Sequence, residues 1–143
     1  MTKYVEIIYP KDEKNKYPTR LAKYLYKRFM KPGFDLQIKR KILDIGCCTG
    51  KALRRFGEFE AFELCGVDIR DEGVEGINFK PCDIEKDKIP FPDNYFDFVY
   101  SKSVLEHVRN TDNFVKESLR VLKPGGIFIG LTPDWKSQHE IFW

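Results

Sequence analysis

The sequence predicts an α/β protein built on a doubly wound parallel sheet of about five strands, and three observations predict it. Short apolar runs alternate with amphipathic stretches along the chain. The runs lack the apolar–polar alternation of a half-exposed strand, as expected where both faces of a sheet are covered. Several end in an acid or a small polar residue, which places polar groups where open parallel sheets bind ligands.

With 143 residues, the chain is sized for one domain that can bury a core. Its composition, 42% hydrophobic and 33% charged, is that of a globular protein and excludes a disordered one. No run approaches the roughly 18 apolar residues of a membrane span, and the N-terminus has no signal-peptide pattern. The expectation is a cytoplasmic protein without a membrane partner.

Residues 1–16 are polar and lysine-rich after Ile7-Ile8-Tyr9 and read as an N-terminal arm, with residues 17–143 as a single domain. Tyr17-Pro18-Thr19 opens a helix whose apolar stripe is Leu21, Leu25 and Phe29, flanked by Ala22, Tyr26 and Met30; Pro32-Gly33 stops it. The first strand, Lys41–Ile45, delivers Asp44 into the turn Gly46-Cys47-Cys48-Thr49-Gly50, and a short helix is expected from Thr49. Such a turn presents backbone N–H groups to a ligand.

The second strand is Leu64–Ile69, ending in Asp68, so strand, helix and strand form a right-handed crossover unit. The connection Arg70–Gly76 is too short and glycine-rich for a crossover helix. Ile77–Lys80 reads as the third strand, followed by Cys82-Asp83-Ile84. The proline-rich turn Ile89–Asn94 leads to a fourth strand, Phe96–Tyr100, and then to a helical turn from Ser101 through Val104, Leu105 and Val108. A helix over about 112–122 should bury Val115, Leu119 and Leu122. Lys123-Pro124-Gly125-Gly126 ends it, and Ile127–Leu131 is the fifth strand.

The strand ends carry the chemistry. Asp68 lies 22 residues after Gly46, a spacing suited to a carboxylate that accepts hydrogen bonds from a ribose diol. Asp83 can accept from an exocyclic amine such as that of adenine. Together they describe an adenosine pocket. Each has a plainer reading as well: Asp44 as a brace of its turn, Asp68 as a surface turn residue, Asp83 as the cap of the Ile84–Asp87 turn.

The four cysteines, Cys47, Cys48, Cys65 and Cys82, fit neither a disulfide scaffold nor a metal-ligand spacing, and no metal is expected. They read as buried reduced thiols. Net charge is +3, but 12 basic and 4 acidic residues through Lys41 give +8, while 13 basic and 18 acidic residues beyond it give −5. This asymmetry admits RNA or an acidic partner, yet no aromatic-and-basic motif supports nucleic acid, and a solvated helix face explains it as well.

The segments LDIGCCTG, GVDI, CDIE, IPFPDNYFDFVYSKSVLEHV and RVLKPGG-IFIG, in this order over residues 42–131, resemble the class I S-adenosylmethionine-dependent methyltransferases. The likeness is strongest to the methyltransferase type 11 group, which includes small-molecule enzymes of the ubiquinone-biosynthesis kind. The resemblance implies a Rossmann-like sheet of order 3-2-1-4-5, S-adenosylmethionine as cofactor with S-adenosylhomocysteine as product, and a small-molecule methyl acceptor.

It also implies roles. Gly46, Cys47, Cys48 and Gly50 would approach the methionine part, with Asp44 bracing the loop or meeting the amino group. Asp68 would bind the ribose and Ile69 pack on the adenine; Asp83 would take the adenine amine and Ile84 cover the ring. Ser101 would face the methionine amino group, and Tyr17 and Arg20 would close over the cofactor, Arg20 reaching its carboxylate. Glu106 and His107 follow the fourth strand, and His107 titrates in a range useful for proton transfer; residues there are more often structural, so no catalytic residue is assigned.

Three features depart from the family pattern. Cys48 stands at the central glycine of the first motif, the second-to-third connection lacks a helix, and the chain ends at Trp143, before the usual sixth and seventh strands. A C-terminally shortened domain would leave an open sheet edge and the apolar Ile141-Phe142-Trp143 tail, so a homodimer or a partner at that edge is expected. A non-catalytic cofactor-binding protein is the alternative function. An NAD-binding domain is a further one, although the turn lacks G-x-G-x-x-G and LKPGG has no role there.

Overall fold

A computed structural model describes residues 17–31, 39–70 and 74–133. The expected N-terminal arm, the Pro32-Gly33 helix stop and the C-terminal tail lie outside the described residues.

The elements run α1 (Tyr17–Leu25), a π-helical turn (Tyr26–Met30), β1 (Lys41–Ile45), α2 (Lys51–Gly57), β2 (Glu63–Asp68), β3 (Asn78–Pro81), β4 (Phe96–Lys102), a 3-10 turn (Leu105–His107), α3 (Thr111–Val121) and β5 (Leu122–Leu131). The strands form one parallel sheet of order β3-β2-β1-β4-β5, the order that the resemblance implies. β1 is central and pairs Ile45 with Val67 on one side and with Ser101 on the other. The ends of three strands therefore meet in one place.

Alternate side chains of each strand leave the sheet on opposite faces. Ile42, Phe98, Tyr100 and Ile129 pack with Leu21, Leu25, Leu53 and Phe56 from α1 and α2. Leu43, Ile45, Cys65, Val67 and Val99 pack with Phe114 and Val121 from α3. Both faces are covered, which is why the strands read as unbroken apolar runs.

Several local expectations change. α2 begins at Lys51 rather than Thr49 and has only seven residues, with Gly50 in a left-handed conformation at its start. The first helix keeps its buried Leu21, Ala22, Leu25 and Met30, but its last turn widens, Lys31 N–H reaching Tyr26 O at 2.8 Å. After β4 there is only the single 3-10 turn. On α3, Val115 and Leu119 are exposed, and the buried residues are Phe114, Glu117, Ser118 and Val121.

Burial of Glu117 follows from two partners, one a turn away on the same helix and one remote in sequence. Its carboxylate pairs with Arg120 at 2.7 Å and accepts the Ile89 N–H at 2.9 Å. The apolar stripe thus yields to a polar anchor. β5 begins immediately after α3, at Leu122 opposite Phe96, and resumes at Ile127 opposite Phe98. Lys123–Gly126 is therefore an excursion within the strand, with Gly125 at φ 78°.

Candidate functional site

The turn after β1 is fixed by hydrogen bonds to the neighbouring strand. Gly46 and Cys47 N–H both reach Val67 O, at 2.8 and 3.1 Å, and Cys48 N–H reaches Asp68 Oδ2 at 2.8 Å. Asp68 Oδ1 accepts from Arg70 N–H at 3.1 Å. The bracing of this turn, one of the roles expected of Asp44, is thus performed by Asp68 from the next strand. Arg54 adds a second tie, donating to Thr49 O and Glu75 O at 3.1 Å each.

Three residues of the turn have positive φ: Gly46 (76°), Cys48 (50°) and Gly50 (68°). A Cβ on Gly46 would sit 2.3 Å from Val104 Cγ2, and one on Gly50 would sit 2.2 Å from Ile77 Cδ1. Positive φ together with these close neighbours favours glycine at both positions. Cys48, at the family's central glycine, keeps the left-handed backbone that a glycine favours.

Two cavities open at the carboxyl ends of the strands, and both touch Gly46. One of ≈ 210 Å³ lies beside α1 and α2 and is lined by Asp44, Cys47, Cys48, Lys51, Tyr100 and Lys102, among others. The other, of ≈ 450 Å³, is lined by Asp68, Ile69, Asp83, Ile84, Val104 and His107, among others. Eight of the twelve residues expected around a cofactor line one or the other.

Gly50 and Ser101 line neither. Gly50 is turned against Val74 and Ile77. Ser101 is 3% exposed, and its Oγ is a buried side-chain polar atom without a hydrogen-bond partner. Strand alternation gives the lining to its neighbours Tyr100 and Lys102. Lys102 was missed because β4 runs two residues beyond the predicted end; the spacing Phe98, Tyr100, Lys102 is the signal that finds it. Arg20 is exposed and lines neither cavity, and the side chain of Tyr17 is outside the described residues. His107 lines the larger cavity beside Asp83, whereas Glu106 is exposed and lines neither.

The charges of the two cavities differ. Asp44 is 3% exposed; burial first, then the charge of Asp68, holds its carboxyl well above the usual range, with Lys102 opposing. Asp83 is held below the usual range by hydrogen bonds from Lys86 and from Glu85 N–H, and its carbonyl accepts from Lys86 and Asp87 N–H. The turn-capping reading of Asp83 is therefore realised in the fold. Ile69, 73% exposed, is the most exposed of the large apolar side chains described. An open apolar surface beside two carboxylates suits a flat heterocycle that carries hydroxyl and amine donors.

All four cysteines are free: Cys47, Cys65 and Cys82 are buried and Cys48 is exposed. Burial, then the charges of Asp44 and Asp68, pushes the Cys47 thiol up to about 12, so it is no nucleophile at neutral pH. Among the described residues no group of three or more His, Cys, Asp or Glu is placed to hold a metal ion, and no helix is long and apolar enough to cross a membrane.

The sequence family described as a methyltransferase domain matches residues 43–130. A sterol 24-C-methyltransferase of Gibberella zeae is 36% identical over 110 residues, covering 69% of this chain and 27% of that protein. A ubiquinone/menaquinone biosynthesis C-methyltransferase of Shewanella pealeana is 33% identical over 132 residues, covering 82% and 51%. Among solved structures, phosphoethanolamine N-methyltransferase 2 of Haemonchus contortus, in complex with S-adenosyl-L-methionine, matches with a TM-score of 0.61 at 25% identity, covering 77% of this chain and 27% of that one. The chain spans between about a quarter and a half of the length of these two curated relatives.

Proposed function

This chain belongs to the methyltransferase domain family, and from that premise we propose that it is an S-adenosylmethionine-dependent methyltransferase acting on a small-molecule acceptor. The observation that carries the reading is the meeting of two chemically unlike cavities at Gly46. The larger offers carboxylates and apolar side chains to an adenosine. The smaller offers an acid and two cations to an amino-acid head. A phosphate-binding turn would need neither arrangement.

S-adenosylmethionine, when bound, would supply a methyl group activated by its sulfonium, for a displacement that depends mainly on proximity and alignment. The protein's part is then positioning. Asp68 is already oriented by two backbone N–H groups, and its remaining lone pairs can accept from ribose hydroxyls. Ile69 and Ile84 offer apolar contact to the base, and Asp83 accepts its amine. No side chain is assigned as catalytic base. The small-molecule acceptor is supported by the names of the relatives, a sterol 24-C-methyltransferase and a ubiquinone/menaquinone biosynthesis C-methyltransferase.

Free thiols at all four cysteines suit a reducing compartment such as the cytoplasm. β5 is an edge strand of the sheet among the described residues, and pairing of that edge with a second copy or a partner is part of the same reading. A concentration series in analytical ultracentrifugation checks the latter, and a strictly monomeric species throughout would remove it.

Calorimetric titration of S-adenosylmethionine, S-adenosylhomocysteine and NAD into the chain and its Asp68→Ala variant tests the cofactor assignment. Both methionine-derived ligands should bind, and the variant should bind them more weakly. Binding of NAD alone would sink the reading.

A further inference from the structure

The smaller cavity holds unlike charges that the sheet brings together from positions far apart in sequence. Asp44 is on β1 and Lys102 closes β4, and these adjacent parallel strands pair Asp44 with Tyr100 and Ile45 with Ser101. Ile42 and Tyr100 pack on the α1–α2 face. Asp44 and Lys102 each lie two residues beyond one of them, so they point to the same face. Both line the ≈ 210 Å³ cavity with the apolar Leu21, Ala22 and Phe56. The Lys102 charge opposes the upward push that burial gives the Asp44 carboxyl, so each feels the other.

An apolar-walled cavity with one acid and two lysines on its rim suits a ligand that itself carries both signs. A purely anionic group would face Asp44, and a purely cationic one would face Lys102. An α-amino acid head satisfies both. Lys51 also lines the cavity but is exposed at the start of α2, whereas Lys102 is half-buried at the end of a central strand. Arg20, expected from the sequence to reach the carboxylate, lines neither cavity.

We propose that Lys102 is the carboxylate-binding residue of a zwitterion subsite, its Nζ donating to the carboxylate of the cofactor's amino-acid head while Asp44 faces the ammonium. The inference rests on the cofactor reading above and adds to it the residue that distinguishes the whole cofactor from its nucleoside part.

Two ligands separate the two claims: S-adenosylhomocysteine, which has the amino-acid head, and 5′-methylthioadenosine, which lacks it. Titrated calorimetrically, the wild-type chain should bind both. Lys102→Met should weaken S-adenosylhomocysteine by about 10- to 100-fold, the range of a charge-assisted hydrogen bond, and leave 5′-methylthioadenosine unchanged, which also certifies that the variant is folded. Lys102→Arg should retain most of the affinity. Equal weakening of both ligands by Lys102→Met, or of neither, overturns the Lys102 assignment. A wild-type chain that binds neither ligand overturns the cofactor reading instead.

Discussion

Cys48 donates its backbone N–H to Asp68 Oδ2 at 2.8 Å, tying the turn after β1 to the end of β2. One carboxylate thus both shapes the turn and faces the larger cavity, so its loss acts on structure and binding together. Asp68→Ala should lower S-adenosylhomocysteine affinity by about 10- to 100-fold, the range of a lost hydrogen bond to a charged group. It should also speed amide hydrogen exchange at Cys48 while the core strands stay protected. Unchanged exchange at Cys48 would show that the turn holds without this bond.

Cys48 keeps φ at 50° although it carries a side chain. Left-handed backbone costs a non-glycine residue about 1 kcal/mol or more, so Cys48→Gly should stabilise the chain, with Tm rising by roughly 3–5 °C. Cys48→Val should lower it, because a β-branched side chain tolerates this conformation least. Differential scanning calorimetry of the three proteins orders them; a fall in Tm for the glycine variant would contradict the strain argument.

The Asp44 carboxyl is raised in the folded protein, by burial first and then by Asp68. Its contribution to stability is therefore fully present below the ordinary carboxylate pKa of about 4 and is lost as pH rises through the raised folded value. Asp44→Asn removes that loss. The variant should unfold at a higher temperature than the wild type at pH 8, and the difference should close below about pH 4. At pH 8 it should also bind S-adenosylhomocysteine about 10-fold or more weakly, since an amide gives the ammonium no charge. A variant less stable than wild type at pH 8 would refute the assignment.

Glu117 shows the opposite sign. Burial pushes its carboxyl up, but Arg120 and the Ile89 N–H outweigh burial and bring it below the usual range. That stability is present above the ordinary carboxylate pKa and is lost as pH falls through the depressed value. Arg120 also donates to Ile89 O at 2.7 Å and to Phe91 O at 3.1 Å, so it holds the loop before β4 against α3. Arg120→Met leaves a buried carboxylate short of its cation and should cost about 3–5 kcal/mol. Urea titrations at pH 7 measure this, and acid unfolding should start at a higher pH than in the wild type.

Much of the architecture was legible because its signals are local. The apolar runs of β1, β2 and β4 need only their own residues to announce burial on both faces, and Gly46 and Gly50 mark a turn whose backbone requires positive φ. The acids Asp44, Asp68 and Asp83 fall at or just beyond strand ends in sequence and in space, because parallel pairing brings the carboxyl ends of successive strands to one side. Order along the chain therefore already implied a common site.

What the sequence by itself determined is the set of elements, their alternation and the strand ends that carry polar chemistry. Tertiary structure alone decided which side chains those elements turn toward the cavities. Val115 and Leu119 form as good a helical stripe as Phe114 and Val121, and only the docking of α3, anchored by Glu117 to the distant Ile89 N–H, buries the second pair. Asp68 rather than Asp44 braces the turn because β2 carries its carboxylate to the Cys48 N–H. Lys102 reaches the smaller cavity, and Ser101 does not, because the pleat sends successive residues of β4 to opposite faces. Alternation within a strand is local, but which face meets which cavity depends on contacts across 20 or more residues of sequence.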